Sequence, residues 1–449
     1  EESINDIPRQ LNNDIKNIAY NYDVLNKLDE SVKETGSWIL LEGNPGTGKT
    51  FNIASYIPVE KDALILGKYF VKVPNDDKPK SLRMSKEYFL TWLEETISIL
   101  LTGDIPPKTS ESFEKRIEAL NYNISGLSEY LFNNNLTGLL FIDGLDEVKN
   151  IEDFLGILSM NIPENIKIVL SCISKEILPS DIKNNINATQ SISVSPLNIS
   201  QCEQYILKEL KKDIVDFEDI QKIALKSEGH PLYMRYLIDY INNSEISNDK
   251  DELKEWIDNI PNIGGNIENY YNSIWDKIYE DKNKLWICLF LSQLRQAIDE
   301  KEFFEILSPE IKNEFYSVFP KISYLIKNDD KLEIYHNSFK EFILGKVPLL
   351  LRSCNDLIVN YCEAHPDSDY SLTNMLYHCG LSNSPEKAVE SCNQVWADKM
   401  AFNHIEPDLV VSDIKNTISL SIELELTTEL IRLLLLLQRI DFRYNSVFV

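Results

Sequence analysis

Positive charge is scarce in this chain. Lys and Arg number 45 against 71 Asp and Glu, a formal net charge of −26 over 449 residues. Affinity for a phosphate backbone rests on Lys and Arg, so no direct nucleic-acid binding is expected, although a local basic groove would be compatible with the balance. Long apolar runs are missing too. The longest unbroken aliphatic stretch, Leu433 to Leu437, falls far short of the ~20 residues of a membrane helix, so no membrane partner is expected. Cysteine is sparse and unpatterned: seven residues, an odd number, with no CxxC. A disulfide framework is thereby disfavoured and a reducing, cytoplasmic setting expected. Cys362, His365, His378 and Cys379 are residue types that zinc takes. His378 and Cys379 are adjacent, however, and one regular helix would point them ~100° apart, so packing is the expected role. The chain has neither a signal peptide nor an initiator Met, and is expected to be a piece of a longer protein.

What is present is ordinary globular material, 43% hydrophobic and 26% charged, enough for two to four domains of ~100–200 residues. Residues 1–35 form a lead-in with a helical apolar rhythm (Leu11, Ile15, Ile18, Leu25, Leu28) that Gly36 stops. Strands are expected over Trp38–Leu41, Ala63–Val73, Leu139–Ile142, Ile166–Leu170 and Ile192–Val194. Between them, Phe89, Trp92, Leu93, Ile97, Leu100 and Leu101 share one helix face. Alternating strands and helices imply a doubly wound parallel sheet over 36–195. A helical domain is expected over 196–262, with a loop near Asn242–Lys250. Helices with a strand-like piece, Lys331–Tyr335, follow over 263–348, and 349–449 reads as helical. The aromatic series Tyr270, Tyr271, Trp275 and Tyr279 has helix spacing and is expected in the core.

The sharpest signal is Gly43-Asn44-Pro45-Gly46-Thr47-Gly48-Lys49-Thr50, a complete G-x-x-x-x-G-K-[ST] between an apolar strand and a helix that Phe51 continues. Glycines let backbone amides approach phosphate oxygens closely, and the new helix offers its positive end to the same anion. Lys49 is expected at the β- and γ-phosphates and Thr50 Oγ on Mg²⁺. The second signal is Leu139-Leu140-Phe141-Ile142-Asp143-Gly144-Leu145-Asp146-Glu147. An Asp ending an apolar strand lies at the carboxyl edge where open α/β sheets bind ligands, and Asp143 is expected to hold Mg²⁺. Gly144 allows a tight turn that returns Asp146 and Glu147 toward the γ-phosphate. One of them would orient or deprotonate the attacking water, the plain alternative being a solvated loop or helix cap. Asn26-Lys27-Leu28-Asp29 spells the guanine-reading NKxD but precedes the phosphate loop. It is taken as chance, and ATP or ADP is the expected nucleotide.

A phosphate loop followed by apolar-D-G-L-D-E resembles the NACHT branch of the STAND nucleotide-binding switches. AAA+ enzymes usually place the Asp and Glu together. Further elements resemble the family in order: Pro8-Arg9-Gln10-Leu11 where it carries a base-touching element, Ser195-Pro196-Leu197 before a small helical domain, and Gly229-His230-Pro231-Leu232 like its G-x-P-L. Tyr335-His336-Asn337-Ser338-Phe339-Lys340-Glu341-Phe342 is similar to its winged-helix segment H-x-S-F-x-E-F. The resemblance implies that Pro8, Arg9 and Pro231 contact the nucleotide and that His336 touches the β-phosphate of ADP in a closed form. It also implies a winged helix over 263–348 and the start of sensor repeats over 349–449. Lys68-Tyr69-Phe70 with Asp76-Asp77 and Arg83, and Tyr377-His378-Cys379-Gly380-Leu381, resemble segments of prokaryotic antiviral members. One departure counts. Where the family reads T-S-R after the fourth strand, this chain has Ser171-Cys172-Ile173. The γ-phosphate-sensing guanidinium is absent there, which implies slow hydrolysis unless Arg235 substitutes. Ser171 is left as a hydrogen-bonding candidate. His230 reads as a helix cap.

The resemblance thus implies an ATP/ADP-controlled signalling switch in antiviral or innate immune defence. It would be closed with ADP and would form a homo-oligomer with ATP once a protein trigger binds the C-terminal helical array. An effector domain would lie upstream. The rival readings are an AAA+-like motor or loader and a non-hydrolysing, nucleotide-bound scaffold.

Overall fold

The computed structural model describes residues 21–73, 80–106, 111–158, 162–211, 215–243, 249–328 and 331–446. Pro8, Arg9, Asp76 and Asp77 lie outside them. The chain divides into two compact units between Ser273 and Ile274, a coarser division than the five segments read from the sequence.

The first unit is built on five parallel strands: β1 (Trp38–Glu42), β2 (Ala63–Phe70), β3 (Thr137–Asp143), β4 (Ile166–Cys172) and β5 (Ser191–Ser193), in the order β2-β3-β4-β1-β5. The near-continuous apolar runs of β1, β3 and β4 suit strands covered on both faces. Alternate residues of each strand serve the two layers. Ile39 and Leu41 pack under α1 (Tyr22–Lys33) and α2 (Lys49–Ser55). Trp38 and Leu40 belong to the opposite layer, with α3 (Lys86–Thr102), α4 (Phe113–Asn133), α5 (Ile151–Leu155) and α6 (Ser180–Asn185). Ser85 caps α3 by accepting from Tyr88 N, and Gly103 ends it at φ 81°, the usual chemistry of the two termini. β1 is followed in the chain by β2 at one edge, whereas its neighbour β4 is followed by β5 at the other. Adjacent strands departing in opposite directions open a crevice at their carboxyl ends, the place where such sheets bind ligands.

Four helices complete this unit: α7 (Ile199–Glu209), α8 (Phe217–Lys226), α9 (Pro231–Asn243) and α10 (Lys250–Asp258). Asn198 and Gln201 form a capping box that starts α7. The link from α8 to α9 passes through Gly229 at φ 71°, where a Cβ would stand 2.2 Å from Leu197 O; only glycine fits. Helix α11 (Ile267–Tyr279) spans the division between the units.

In the second unit, α12 (Lys282–Gln293) is buried from Ile287 through Gln293 without a break, as a helix apolar all round requires. Helices α13 (Glu300–Ile306) and α14 (Pro309–Val318) lead to an antiparallel pair, β6 (Ile326–Asn328) with β7 (Leu332–Ile334). The sequence reading contains β7 but not β6, which is three residues long and two-thirds polar. Then come α15 (Asn337–Lys346), α16 (Pro348–Ala364), α17 (Asp369–Leu381), α18 (Glu386–Ser391), α19 (Gln394–Phe402), α20 (Pro407–Glu423) and α21 (Thr427–Ser446).

A polar chain runs through this second core. Tyr370 OH meets His378 Nε2 at 2.6 Å, and His378 Nδ1 meets Asn355 Oδ1 at 2.8 Å. Asn355 Nδ2 in turn donates to Gln293 Oε1 at 2.7 Å. Beside it the buried Arg295 pairs with Asp413 at 2.7 Å and lies over the Tyr377 ring. Burial, with the positive charges of Arg295 and Lys340, pushes the His378 imidazole down to about 3. Both its nitrogens are thus engaged in packing chemistry. No group of three or more His, Cys, Asp or Glu that could hold a metal ion occurs among the described residues. All seven cysteines are free and buried. Among the described residues no helix is long and apolar enough to cross a membrane.

Candidate nucleotide site

The loop Gly43–Gly48 leaves the carboxyl end of β1 and enters α2, with Gly46 at φ 78° and Gly48, the N-cap, at φ 94°. L side chains avoid that region. The loop is tied down internally: Gly43 N donates to Cys172 O at 3.3 Å, and Thr47 Oγ1 to Asn44 O at 2.8 Å. Lys49 Nζ donates to the Gly43 and Asn44 carbonyls at 2.6 and 3.2 Å. Burial lowers the Lys49 pKa, while Asp146, Asp143 and Glu147, all close enough to act on it, pull it up. The cation and three acids of the two motifs therefore share one neighbourhood. Phe51 packs into the α1–α2 layer. The far end of α2 is held by the buried Lys68, whose Nζ donates to Ala54 O and Tyr56 O at 3.0 and 2.8 Å. A cation at the carbonyl end complements the helix dipole.

Asp143 ends β3 and is nearly fully buried. The Ser171 hydroxyl donates to its Oδ1 and accepts from Gly144 N, and the Thr50 hydroxyl is near enough to favour the ionised carboxylate. Burial lifts the Asp143 carboxyl to about 6; Ser171, Thr50 and Lys49 restrain the rise. Ser171 is itself fully buried, so its hydroxyl orients Asp143 and the turn behind it rather than facing the crevice. Gly144 at φ 84° turns the chain into Leu145–Glu147, where Asp146 is exposed and Glu147 half-buried.

The other sequence candidates fall in different surroundings. Pro231 is the first residue of α9 and lies against Gly48, its Cγ 3.8 Å from where a Cβ of Gly48 would stand. Arg235, the possible substitute guanidinium, pairs with Glu209 at 2.9 Å and Asp239 at 2.8 Å. Ile173 is exposed. His336, in the second unit, caps α15: its Nδ1 accepts from Ser338 N at 3.2 Å. Asp29 of the NKxD string sits in α1 and accepts from Tyr56 OH, a packing contact. His230 caps α9 by accepting from Tyr233 N, as expected.

Three features escaped the sequence reading. Leu232 N donates to Gly46 O at 3.3 Å. The Glu228 carboxylate gathers the backbone N–H groups of Ile263, Gly264 and Gly265 at 2.8–3.1 Å. Gly265 O then faces Asn44 Nδ2 at 3.5 Å. The αL pair Gly264 and Gly265 was the one available signal, since consecutive glycines often form an anion-binding nest.

No family model matches the chain, and no curated protein matches it. Among solved structures it is similar to a signal transduction ATPase with numerous domains (STAND) with a tetratricopeptide repeat sensor from Pyrococcus horikoshii. The identity is 14% and the TM-score 0.46, over 92% of this chain and 57% of that one. The chain thus spans little more than half the length of that protein. A Walker-type ATPase of Pyrococcus abyssi aligns at 13% identity and TM-score 0.37, over 76% and 99% of the two chains. The ORC1 protein of Aeropyrum pernix, solved in complex with DNA, aligns at 13% and 0.36, over 74% and 94%. At these scores the likenesses carry no weight for function.

Proposed function

We propose that the chain binds ATP and ADP at Gly43–Thr50 and hydrolyses ATP slowly as a conformational switch of the STAND class. One observation carries the reading: a complete phosphate-loop motif sits at the carboxyl end of β1, with its Lys49 and Thr50 close enough to act on the Asp143 carboxylate that ends β3. The donor set fits Mg²⁺, a hard cation that takes hydroxyl and carboxylate oxygens. Thr50 and Asp143 would hold it, and the ion would neutralise charge on the phosphates. Lys49 would exchange its loop carbonyls for phosphate oxygens. Glu147 or Asp146 would orient the attacking water and take its proton. With Ile173 where a guanidinium would stand and Arg235 engaged by two carboxylates, charge developing in the transition state has fewer partners, which supports slow turnover.

The finer reading rests on the sequence resemblance. Residues 263–348 would act as a winged helix whose His336 reads the β-phosphate of ADP, and 349–449 would begin an array that recognises a protein trigger. Trigger binding would favour an open, ATP-bound form that self-associates in the cytoplasm as part of antiviral defence. The trigger must prefer the open form for any shift to occur. The first test is Lys49→Ala. It removes the loop's own cation, and ATP affinity measured by titration calorimetry should fall at least a hundredfold, about 2.7 kcal/mol. Unchanged affinity would remove the basis of the nucleotide reading.

A further inference from the structure

His230 is nine-tenths buried or more, yet only half of its polar chemistry is satisfied. Its Nδ1 accepts from Tyr233 N at 3.3 Å. In the neutral ring that leaves the proton on Nε2, and Nε2 is buried without a hydrogen-bond partner. The Pro45 carbonyl acts on the ring and favours its protonated form; burial outweighs this and holds the imidazole neutral, down at about 4. The ring also walls the phosphate loop. A Cβ on Gly46 would lie 2.8 Å from His230 Cε1 and 2.6 Å from Leu232 Cδ2. The same segment grips the loop at Gly46 O through Leu232 N, and Glu228 supports the turn whose Gly265 carbonyl faces Asn44.

We propose that His230 is a positioning residue for the phosphate loop: its ring, fixed by helix capping, sets the path of Pro45–Gly46, and its buried Nε2–H is completed by the Pro45 carbonyl when the loop closes on phosphate. The inference rests on the nucleotide-binding reading above. A buried donor without a partner is costly, and only a conformation that supplies the partner recovers the cost. Phosphate binding draws Lys49 Nζ off the Gly43 and Asn44 carbonyls, which frees the loop to make that adjustment. The cap orients the ring, the ring selects the loop shape, and nucleotide affinity rises accordingly.

His230→Asn separates this from a plain cap. Asn caps helices well, so α9 keeps its start while the ring and Nε2–H are lost. The expected result is an apo melting temperature close to that of the unsubstituted chain, with Kd for Mg-ATP weakened between about fivefold and a hundredfold, one recovered hydrogen bond. Lys49→Ala, measured alongside, tells the two failures apart. If Lys49→Ala loses ATP while His230→Asn binds within twofold of the unsubstituted chain, the positioning role is overturned and the nucleotide reading stands. If Lys49→Ala still binds ATP, the nucleotide reading itself fails. His230→Ala removes cap and ring together; should it not fold, His230→Asn decides alone.

Discussion

Two buried histidines, one in each unit, are treated in opposite ways. His378 has both nitrogens bonded, to Tyr370 and Asn355, and the chain continues to Gln293. His230 has one nitrogen bonded and the other waiting beside the phosphate loop. The same contrast holds for the cations. Arg295 is locked to a buried carboxylate, whereas Lys49 rests on two backbone carbonyls that bind it less strongly than phosphate would. A fully satisfied polar network rigidifies a core. A partly satisfied one keeps donors in hand for a ligand. The chained polar groups of the second unit are bonded to one another, whereas those around Gly43–Thr50 would exchange partners if nucleotide binds there as proposed.

The sharpest way to test that division is at the acidic turn. Glu147→Gln should leave ATP binding intact and slow hydrolysis by ~10²–10⁴-fold, since an amide takes no proton; single-turnover phosphate release measures it. Loss with Asp146→Asn instead would move the role to Asp146, and no loss with either would make the pair structural. In the second unit, Asp413→Ala leaves Arg295 buried without its carboxylate. Stability should fall by ~3–5 kcal/mol in urea unfolding, with Kd for ATP unchanged. Burial raises the Asp413 pKa despite Arg295, so desolvation outweighs the pairing. Replacing both partners with apolar residues should therefore cost far less than removing one. A large loss in the double variant would show that the pair itself stabilises the core.

The smallest expected effect is in pH. His378 in the fold titrates near 3 and His230 near 4, both below the ordinary value of 6.5. Between those limits the unfolded chain binds more protons than the folded one, so stability rises with pH. The contribution is complete above about 6.5 and is lost as pH falls, levelling near 4 for His230 and near 3 for His378. The groups acting on the two rings differ: Arg295 and Lys340 face His378, while Glu228, Lys49 and the Pro45 carbonyl face His230. His378→Gln should flatten the acid limb of urea midpoints measured from pH 7 to 4. An unaltered limb would mean that other groups set it.

β1, β3 and β4 were legible because each is an apolar run long enough to stand out, β2 from its apolar start Ala63–Leu66 and β5 only from Ile192 and Val194, and the motif glycines marked the loop between β1 and α2. Helix α3 was legible from Phe89, Trp92, Leu93 and Ile97 at three- and four-residue spacing. β6 was not, because Ile326-Lys327-Asn328 has neither an apolar run nor useful alternation; its pairing with β7 makes it a strand. At the site, the loop motif marked Lys49 and Thr50, and the apolar run marked Asp143 at a strand end; the sheet order, with only β4 between β1 and β3, brings Asp143 close enough to act on Lys49. Ser171 was legible as a hydrogen-bonder but not in its direction: its hydroxyl turns to Asp143 on the neighbouring strand. The wall that His230 and Leu232 make at Gly46 depends on how α9 seats against the loop, a contact distant in sequence that carries no local pattern.

The seven buried cysteines give the molecule a reporter of its own. Burial pushes the Cys172, Cys288, Cys379 and Cys392 thiols up to about 12, and the thiolate is the form that reacts with alkylating reagents. Labelling must therefore wait for an opening that wets the site. Cys172 and Cys202 belong to the first unit and the other five to the second. Mass spectrometry of alkylated peptides would accordingly time the two units separately. Cys172, whose carbonyl holds Gly43 N, is the thiol whose labelling clock a ligand at the phosphate loop would slow.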